Sequence, residues 1–434
     1  MTTPIETRAA QESVAPLGHN RPYLLLMSGK TTQIVGEGLG VFAAPLVAFS
    51  LTHSVVLAGV IAAVGEAGSL VATLPAGVAA DRLDRRRLLM AGAVVGLVLW
   101  ALAAIGGFSG WLTGWQLAIV LFGVSVVTAV FGAAEVGAIR AVVAPGQMAS
   151  AMAAIQGRGA VASLISGPLG GVLYAFSHAV PFAAGAIGHA AVAICTAFVR
   201  VPLNGDRANA KAAHPVAQLK EGIRFFASLP VLRNSLWLIM LINLTVSGTM
   251  IAINLQLVRT RTAPLLIGAL DAVSGAAMLL GALIAPALIK RIPSGRITVI
   301  ALAVMAVSFL AMALVHSYLG YLVFAALGAL LIPALNAGVG GYIAAIVPDV
   351  LQGRVSSVSS LGYLAIAPLA PVVASVLLAQ LGIVPTLWIF AAGLAAGAVG
   401  TAFVRELRRI GTPDSWAAEA IEWPPAGASA QPAR

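Results

Sequence analysis

The sequence predicts an all-α polytopic membrane protein of twelve transmembrane helices arranged as two six-helix bundles. About 60% of its 434 residues are hydrophobic and only 9% are charged, whereas a soluble domain carries roughly 25% charged residues. The apolar residues form long runs along nearly the whole chain. An apolar run of about 20 residues is long enough to cross a bilayer as a helix.

Twelve apolar runs meet this length criterion. They are continuous and rich in Ala, Leu, Val and Gly, whereas the strands of a membrane β-barrel would alternate apolar and polar residues over short segments. Helices are therefore predicted throughout. The runs lie near residues 23–51, 54–80, 88–107, 115–141, 149–176, 180–201, 231–257, 263–288, 296–315, 318–347, 351–380 and 383–405.

The longest polar stretch between the runs separates six spans from six. Within it, residues 215–229 carry apolar side chains at helical spacing, which predicts an amphipathic helix on the membrane surface; the alternative is a plain linker. The predicted parts are a cytoplasmic tail, a first bundle, a cytoplasmic linker, a second bundle, and a tail that we expect to be disordered and dispensable. They comprise residues 1–21, 22–201, 202–230, 231–405 and 406–434.

The two halves also share internal register. Pro145 and Pro348 are separated by the same interval as Pro168 and Pro371. Parallel repeats of six spans are a recurrent plan of secondary transporters, with the substrate site between the repeats near the middle of the membrane.

The net charge of +10 is explained by where the basic residues lie. Apart from Arg259 and Arg261 in one loop, and Lys30 and Arg158 within apolar runs, they fall at the termini and in alternate loops. This asymmetry predicts an inner (plasma) membrane protein with both termini in the cytoplasm, and no nucleic acid partner is expected. Five loops contain no Lys or Arg, namely 52–53, 108–114, 177–179, 316–317 and 381–382.

The loop between the second and third spans carries the sharpest motif. It combines Gly77, Asp81 and Arg82 with Arg85 and Arg86. Glycine lets two helices approach closely, and an aspartate at a helix end can pair with arginine or with the amides of a neighbouring helix N-terminus. We expect a charge-relay lock that holds one conformation and breaks in the other. The alternative is a basic loop that only sets topology.

This loop resembles the signature Gly-x-x-x-Asp-Arg-x-Gly-Arg-Arg of the major facilitator superfamily. Asp84 stands where the superfamily usually has glycine, as in its drug-efflux branch of macrolide exporters and the enterobactin exporter. Residues 219–232 and 29–37 are also similar to that branch. The resemblance covers residues 22–405 and implies the major facilitator fold and multidrug efflux.

The fifth span contains Gly167 and Pro168, followed by Gly170 and Gly171. Proline removes a backbone donor, and glycines allow a kink and close helix packing. The run resembles the antiporter motif of superfamily exporters, with Ser163 in place of its first glycine. The resemblance implies export rather than uptake; the alternative is an ordinary glycine-rich packing face.

Charged residues within the apolar runs are costly and usually functional. We rank the carboxylates for proton coupling as Glu37, then Glu135, then Glu66 and Asp271, because burial disfavours the charged form of a carboxylate and lets it load and release a proton. The superfamily architecture implies that the first two face the central cavity. The alternative for each is a structural ion pair. Arg158 is expected to extend toward the cytoplasmic surface.

Four further polar residues are candidates for lining the substrate cavity. Lys30 and Gln33 lie in the first span, and Asn243 and Asn336 lie in spans seven and ten. The asparagines could donate hydrogen bonds to substrate or could equally join helices. His189 in span six is expected to serve in packing.

These features predict a monomeric transporter, and not an enzyme, that works by alternating access. The expected partners are protons, the lipid bilayer and a small amphiphilic substrate such as a drug, a macrolide-like compound or a siderophore. No cofactor, metal or nucleotide is expected: residues 28–31 end like a nucleotide-binding loop, but Leu24 stands where that loop needs glycine. An importer, a lysolipid flippase and a membrane enzyme acting on lipid-linked substrates are the alternatives.

Overall fold

The computed structural model describes residues 16–204 and 215–419. Within these ranges the regular secondary structure is helical, and twelve helical segments are long and apolar enough to cross a membrane. The prediction of an all-α fold with twelve spans is therefore confirmed.

The first six spans are single helices, and side chains cap the first three of them. They are α1 (Arg21–Thr52), α2 (Val55–Arg82), α3 (Arg85–Ser109), α4 (Gly114–Val142), α5 (Met148–Phe176) and α6 (Val180–Phe198). Asn20 caps α1 by accepting from the Tyr23 amide, and its own amide donates to the Val142 carbonyl oxygen at 2.7 Å. Ser54 and Asp84 cap α2 and α3, since an N-cap oxygen satisfies amides without a partner inside the helix.

Two of the later spans are broken near prolines. The tenth span divides at Leu331, two residues before Pro333, and the eleventh divides at Ala367 and Pro368, since proline cannot donate the helical hydrogen bond and crowds the preceding turn. The helices are α7 (Pro215–Ser228), α8 (Pro230–Arg259), α9 (Pro264–Arg291), α10 (Ser294–Val315), α11 (Tyr318–Leu330), α12 (Ile332–Ile346), α13 (Asp349–Ile366), α14 (Leu369–Leu381), α15 (Ile383–Phe403), α16 (Arg405–Arg408) and α17 (Pro413–Trp416).

Each half packs as a bundle of its own. In the first half α1 lies against α6 and α2 against α4, and in the second half α10 lies against α15 and α9 against α11. The halves meet mainly through two helix pairs, α5 with α9 and α2 with α14. Successive spans run in opposite directions, so the position of a residue within its helix indicates which end of the bundle it is near.

The halves make their apolar contact at one end. We call the end with the α2–α3 loop and α16 the basic end, and the other the opposite end. Leu255 of α8 and Leu378 of α14 are buried in one apolar cluster with Val47 and Ile61 of the first half. These first-half residues lie near the end of α1 and the start of α2, so the shared cluster lies toward the opposite end.

Glycine contacts show the same asymmetry. A Cβ added at Gly171 of α5 would lie 2.6 Å from the carbonyl oxygen of Pro264 in α9, and one at Gly59 of α2 would collide with Ser375 of α14. At Gly77 of α2, near the basic end, an added Cβ would meet nothing within 4 Å. The close helix contacts between the halves therefore lie at the opposite end.

Helix α7 is present where an amphipathic helix is predicted, but it is docked on the second half. Phe225 and Phe226 are buried in the second-half core, whereas Ile223 is exposed. Gly222 faces α13, where an added Cβ would lie 3.0 Å from the carbonyl oxygen of Arg354. The prediction of a helix lying on the membrane surface did not include this contact.

The segment after α15 is folded at its start, which differs from the expectation of a disordered tail beginning at residue 406. Leu407, Ile410 and Trp416 are buried in the second-half core. The Tyr342 hydroxyl of α12 donates to Glu419 Oε2 at 2.6 Å. This C-terminal segment, residues 405–419, is therefore part of the second bundle.

Two truncations of different length test whether residues 405–419 stabilise the second bundle. Removing residues 405–434 is expected to lower the thermal unfolding midpoint clearly, because the stabilisation from three buried side chains, about 1.5–3 kcal/mol each, is lost. Removing only 420–434, which lie outside the described residues, is expected to leave the midpoint unchanged. Fluorimetry of both purified variants in detergent checks this, and equal midpoints would contradict it.

Candidate proton-coupling site

A cluster of polar side chains lies inside the first half, among α1, α4, α5 and α6. At its centre is Glu37 of α1, whose side chain is 14% exposed. One carboxylate oxygen accepts a hydrogen bond from Thr128 Oγ1 of α4 at 2.5 Å, and the other accepts one from Gln33 Nε2 at 2.9 Å. Gln33 lies one turn before Glu37 on the same helix face. Both carboxylate oxygens therefore have a donor.

His189 of α6 completes the surroundings of Glu37. Its Nε2 lies 4.0 Å from Glu37 Oε2 and 3.5 Å from Gln33 Nε2, and the residue is fully buried. Gly96 of α3 makes room for the imidazole, since a Cβ there would collide with the ring. His189 is thus not only a packing residue, as the sequence led us to expect, but also a neighbour of the central carboxylate.

Lys30 lies two turns before Glu37 and points into the same cluster. It is 7% exposed, and its ammonium lies 4.7 Å from the centre of the Phe131 ring, a cation–π contact. The ammonium interacts electrostatically with Glu135 and Glu37. Lys30 and Gln33 are thus buried inside the first half in this conformation, and their assignment to the substrate cavity stays a prediction.

Arg158 of α5 forms an ion pair with Glu135 of α4. Its Nη1 lies 2.8 Å from Glu135 Oε1, and the two side chains are 5% and 13% exposed. The same nitrogen lies 3.5 Å from the sulfur of Met27. The expectation that Arg158 extends to the surface is therefore wrong, because the Glu135 carboxylate holds its guanidinium inside the bundle.

A small cavity borders this cluster. Lys30, Phe131, Glu135, Cys195 and Thr196 are among its lining residues. Its volume of about 20 Å³ suits roughly one ordered water. The cavity has room for a water that could carry a proton but not for an organic substrate.

The other two candidate carboxylates lie apart from this cluster. Asp271 is on α9, where it interacts with Asn254 of α8. Glu66 is exposed on α2 and interacts electrostatically with Tyr363 of α13, in the other half. Of the four carboxylates ranked from the sequence, the structure brings together Glu37 and Glu135.

The two asparagines proposed for substrate contact are also separate. Asn243 of α8 donates to the carbonyl oxygen of Ile239 in its own helix at 2.8 Å. Asn336 is exposed on α12. Because the Asn243 amide nitrogen already donates inside its own helix, its side-chain oxygen is the group more available for contact with a substrate.

The glycine-proline run of α5 forms a close contact between the halves. A Cβ added at Gly167 would lie 2.7 Å from the Gly268 carbonyl oxygen and 3.0 Å from Asp271 Cβ, both on α9. Pro168 lies inside α5, and a Cβ at Gly170 would lie 2.6 Å from the Phe42 ring of α1. The run thus brings α5 against both α1 and α9.

The α2–α3 loop is anchored inside the first half. The Arg85 guanidinium donates to the carbonyl oxygens of Gly137 and Leu203, each at 3.2 Å. Arg86 donates to the Ala197 carbonyl oxygen at 2.9 Å. Arg82 is exposed. The side chain of Asp81, the residue central to the predicted lock, lies outside the described part.

The family description that matches the chain is Major Facilitator Superfamily, over residues 26–259. This stretch is more than half of the chain. The chain belongs to the major facilitator superfamily. It is therefore a secondary transporter, and the alternative of a membrane enzyme is not supported. No curated protein sequence matches the chain significantly.

Solved structures of other transporters share the fold at low sequence identity. The nucleoside transporter NupG is 14% identical with a TM-score of 0.71, covering 88% of this chain and 99% of that one. A bacterial homologue of the iron transporter ferroportin, in the inward-facing state, is 15% identical with a TM-score of 0.69, covering 91% and 100%. A D-xylose–proton symporter is 12% identical with a TM-score of 0.66, covering 89% and 98%. Identities this low show the fold alone.

Sequence reasoning missed two members of this transporter's polar cluster. Thr128 is a hydroxyl in an apolar run, and many such hydroxyls bond only their own helix, as Thr245 does. His189 was considered but not connected with Glu37. His189 and Thr196 are seven positions apart on α6, and Thr196 lines the adjoining cavity, so a polar face two turns long on α6 was the pattern from which His189 could have been found.

Proposed function

We propose that this major facilitator superfamily member is a proton-coupled exporter of a small amphiphilic molecule in the inner membrane, with both termini in the cytoplasm. The observation that carries the proposal is the Glu37 carboxylate, 14% exposed and held by donors from α1 and α4. A carboxylate almost removed from water, with an ionisable network around it, suits a proton relay.

Charge balance gives this site a mechanism. With both carboxylates ionised, Glu37 and Glu135 offset Lys30 and Arg158, and the cluster is neutral. Proton uptake by Glu37 leaves one uncompensated positive charge in a medium where such a charge is costly. It also weakens the hold of Gln33 and Thr128 on the carboxylate. Proton uptake would therefore favour a different packing of α1 against α4, which couples the proton to a conformational change.

The roles of the two carboxylates differ in this mechanism. Glu135 is paired with Arg158 at 2.8 Å, so proton uptake there would break a buried ion pair. Glu37 lies 4.0 Å from the nearest histidine nitrogen and is held by uncharged donors. Glu37 is therefore the proposed proton carrier, and Glu135 the group that keeps Arg158 in place.

The direction of transport is proposed from the α5 run and the charge asymmetry. Gly167 and Pro168 lie in a run similar to the antiporter motif of exporters, and the basic end is the cytoplasmic end by the positive-inside rule. Contact between the halves at the opposite end would then leave the cytoplasmic side as the entrance for substrate. The largely Ala, Val and Leu composition of the spans favours an amphiphilic substrate.

The proposal is tested by replacing Glu37 with glutamine, which keeps the shape but cannot carry a proton. In proteoliposomes with an imposed pH gradient, proton-driven export is expected to fall by roughly 5- to 150-fold, the usual range of coupling between two sites. Substrate exchange without a gradient is expected to persist. The panel comprises hydrophobic cations, macrolides, siderophores and lysolipids, and proton flux is recorded together with substrate movement.

Glu406→Gln is the matched control, because Glu406 is an exposed carboxylate on α16, outside the cluster and not among the four carboxylates ranked for proton coupling. Wild-type pH dependence in the Glu37→Gln variant would remove Glu37 from the mechanism. Gradient-driven accumulation on the side predicted as the entrance would favour the importer alternative. Gradient-independent movement of lysolipids would favour the flippase alternative.

A further inference from the structure

A cavity at the opposite end lies between the two halves and is unlike the apolar surfaces around it. Its volume is about 370 Å³, within the size range of small-molecule sites. Ser50 and His53 from the end of α1, and Tyr174 and His178 from the end of α5, line it on the first half. Arg261 and Thr262, between α8 and α9, line it on the second half.

The polar side chains of this cavity are rich in hydrogen-bond donors. Two imidazoles, one guanidinium and the hydroxyl groups of Tyr174 and Thr262 are among its lining groups, while the Ser50 hydroxyl donates to the Val47 carbonyl oxygen, and none of its described lining residues is acidic. The loops at this end also contain no Asp or Glu. An anion entering the cavity would therefore find donors from both halves and no competing carboxylate in the lining.

Two of the basic residues of the cavity have a left-handed backbone, and the third stacks on an aromatic ring. His53 and Arg261 have φ of 51° and 56°, a left-handed conformation that costs energy for residues other than glycine. The His178 ring stacks on Tyr174 with the ring centres 4.5 Å apart, and the Tyr174 hydroxyl is within reach of Ser50. The stacking contact thus restrains the His178 ring beside the cavity.

The position of Arg261 is unusual for this chain. Most basic residues lie at the other end, and Arg259 and Arg261 are the exceptions among the loops of the opposite end. Arg261 lines the cavity, whereas Arg259 does not appear among its lining residues. An arginine kept at the disfavoured end and facing a cavity with two histidines suits the recognition of an anion.

We propose that the cavity formed by His53, Tyr174, His178 and Arg261 binds a phosphate or similar oxyanion, and that the bound anion bridges the two halves at the opposite end. Since its donors come from both halves, the anion would stabilise the conformation in which the halves touch there. Separation of the halves would divide the site. The anion could be a free phosphate or the phosphate of an anionic lipid headgroup.

The test is thermal unfolding of the full chain in phosphatidylcholine nanodiscs, with inorganic phosphate compared with sodium chloride of equal ionic strength. Saturating phosphate is expected to raise the midpoint by about 2–4 °C. The rise should persist in Arg259→Gln and be lost in Arg261→Gln.

The two sources of the anion are distinguished with phosphatidylglycerol nanodiscs. If the headgroup is the ligand, these discs raise the midpoint in wild type and Arg259→Gln but not in Arg261→Gln, and added phosphate has no further effect. If Arg261→Gln does not fold, the variant His53→Asn with His178→Asn serves instead, since asparagine tolerates the left-handed backbone. A midpoint that neither anion changes, or that changes equally in the Arg261 and Arg259 variants, overturns the proposal.

Discussion

Replacing Arg158 with methionine is expected to lower the free energy of unfolding by about 3–5 kcal/mol, the usual effect of removing one partner of a buried ion pair. Methionine fills similar space but leaves the Glu135 carboxylate without its guanidinium at 13% exposure. The loss therefore comes from an uncompensated charge more than from lost packing.

The double variant Arg158→Met with Glu135→Gln is expected to recover most of that loss, because it removes both charges together. Unfolding by SDS titration, followed by tryptophan fluorescence, compares the single and double variants. Arg140→Met is the control, since Arg140 is exposed at the end of α4. A single variant as stable as wild type, or a double variant no better than the single one, would contradict a structural role for the pair.

The Glu135–Arg158 ion pair illustrates why the polar cluster of the first half could be predicted only in part, although the spans could be predicted from the sequence. A bilayer requires about 20 apolar residues for each helix, so hydropathy alone identifies twelve spans. Which charges meet depends on how α4 and α5 rotate against each other. Glu135 and Arg158 are on different helices, and no pattern in either helix specifies that their side chains face each other.

The close helix contacts made by glycines could likewise be predicted from the sequence only in part. The Gly167–Pro168 run could be recognised, yet its contact with Gly268 of α9 depends on the arrangement of the two halves. The space that Gly96 leaves for His189 depends on the packing of α3 against α6. Glycine patterns indicate where helices can approach but do not identify the partner.

The C-terminal segment shows a different limit of sequence reasoning. Residues 405–419 are short, polar and interrupted, which is typical of a tail. Their stability comes from Leu407, Ile410 and Trp416, which insert into the second-half core. Three apolar residues at irregular spacing carry no periodicity, so the docked segment could not be distinguished from a disordered one.

Replacing Gly167 with leucine is expected to open the opposite end of the transporter. Its added Cβ would lie 2.7 Å from the Gly268 carbonyl oxygen and 3.0 Å from Asp271 Cβ, and backbone atoms cannot move aside as a flexible side chain can. Overpacking of this kind costs about 1–3 kcal/mol, which corresponds to a shift of roughly 5- to 150-fold in the ratio of two conformations. Helices α5 and α9 must separate to relieve the contact.

Gly77→Leu is expected to have the reverse effect, because Gly77 meets nothing within 4 Å in this conformation. If α2 approaches the second half when the basic end closes, as the predicted lock around Asp81 requires, the leucine obstructs that approach. This variant should therefore hold the conformation described here. Gly400→Leu is the control, since Gly400 of α15 is exposed and an added Cβ there is also free of contacts.

Spin labels measure both ends in a Cys195→Ser background. The pair Trp115→Cys and Leu319→Cys reports on the opposite end, and both residues are exposed. The pair Leu83→Cys and Arg291→Cys reports on the basic end, where both are also exposed. The distances between the spin labels are measured by electron paramagnetic resonance. The distance at the opposite end should lengthen in Gly167→Leu, and the distance at the basic end should stay long in Gly77→Leu.

Opposite shifts in these two variants, with Gly400→Leu unchanged, would mean that the α5–α9 contact and the α2 surface act on one equilibrium between two conformations. Each glycine would then act by leaving room for the other half. The space beside Gly167 is occupied by α9 in the present conformation, and the space beside Gly77 would be occupied only when the basic end closes. Unchanged distances in Gly167→Leu would mean that the halves accommodate a leucine at the α5–α9 contact, and the α5 run could not then control the opposite end.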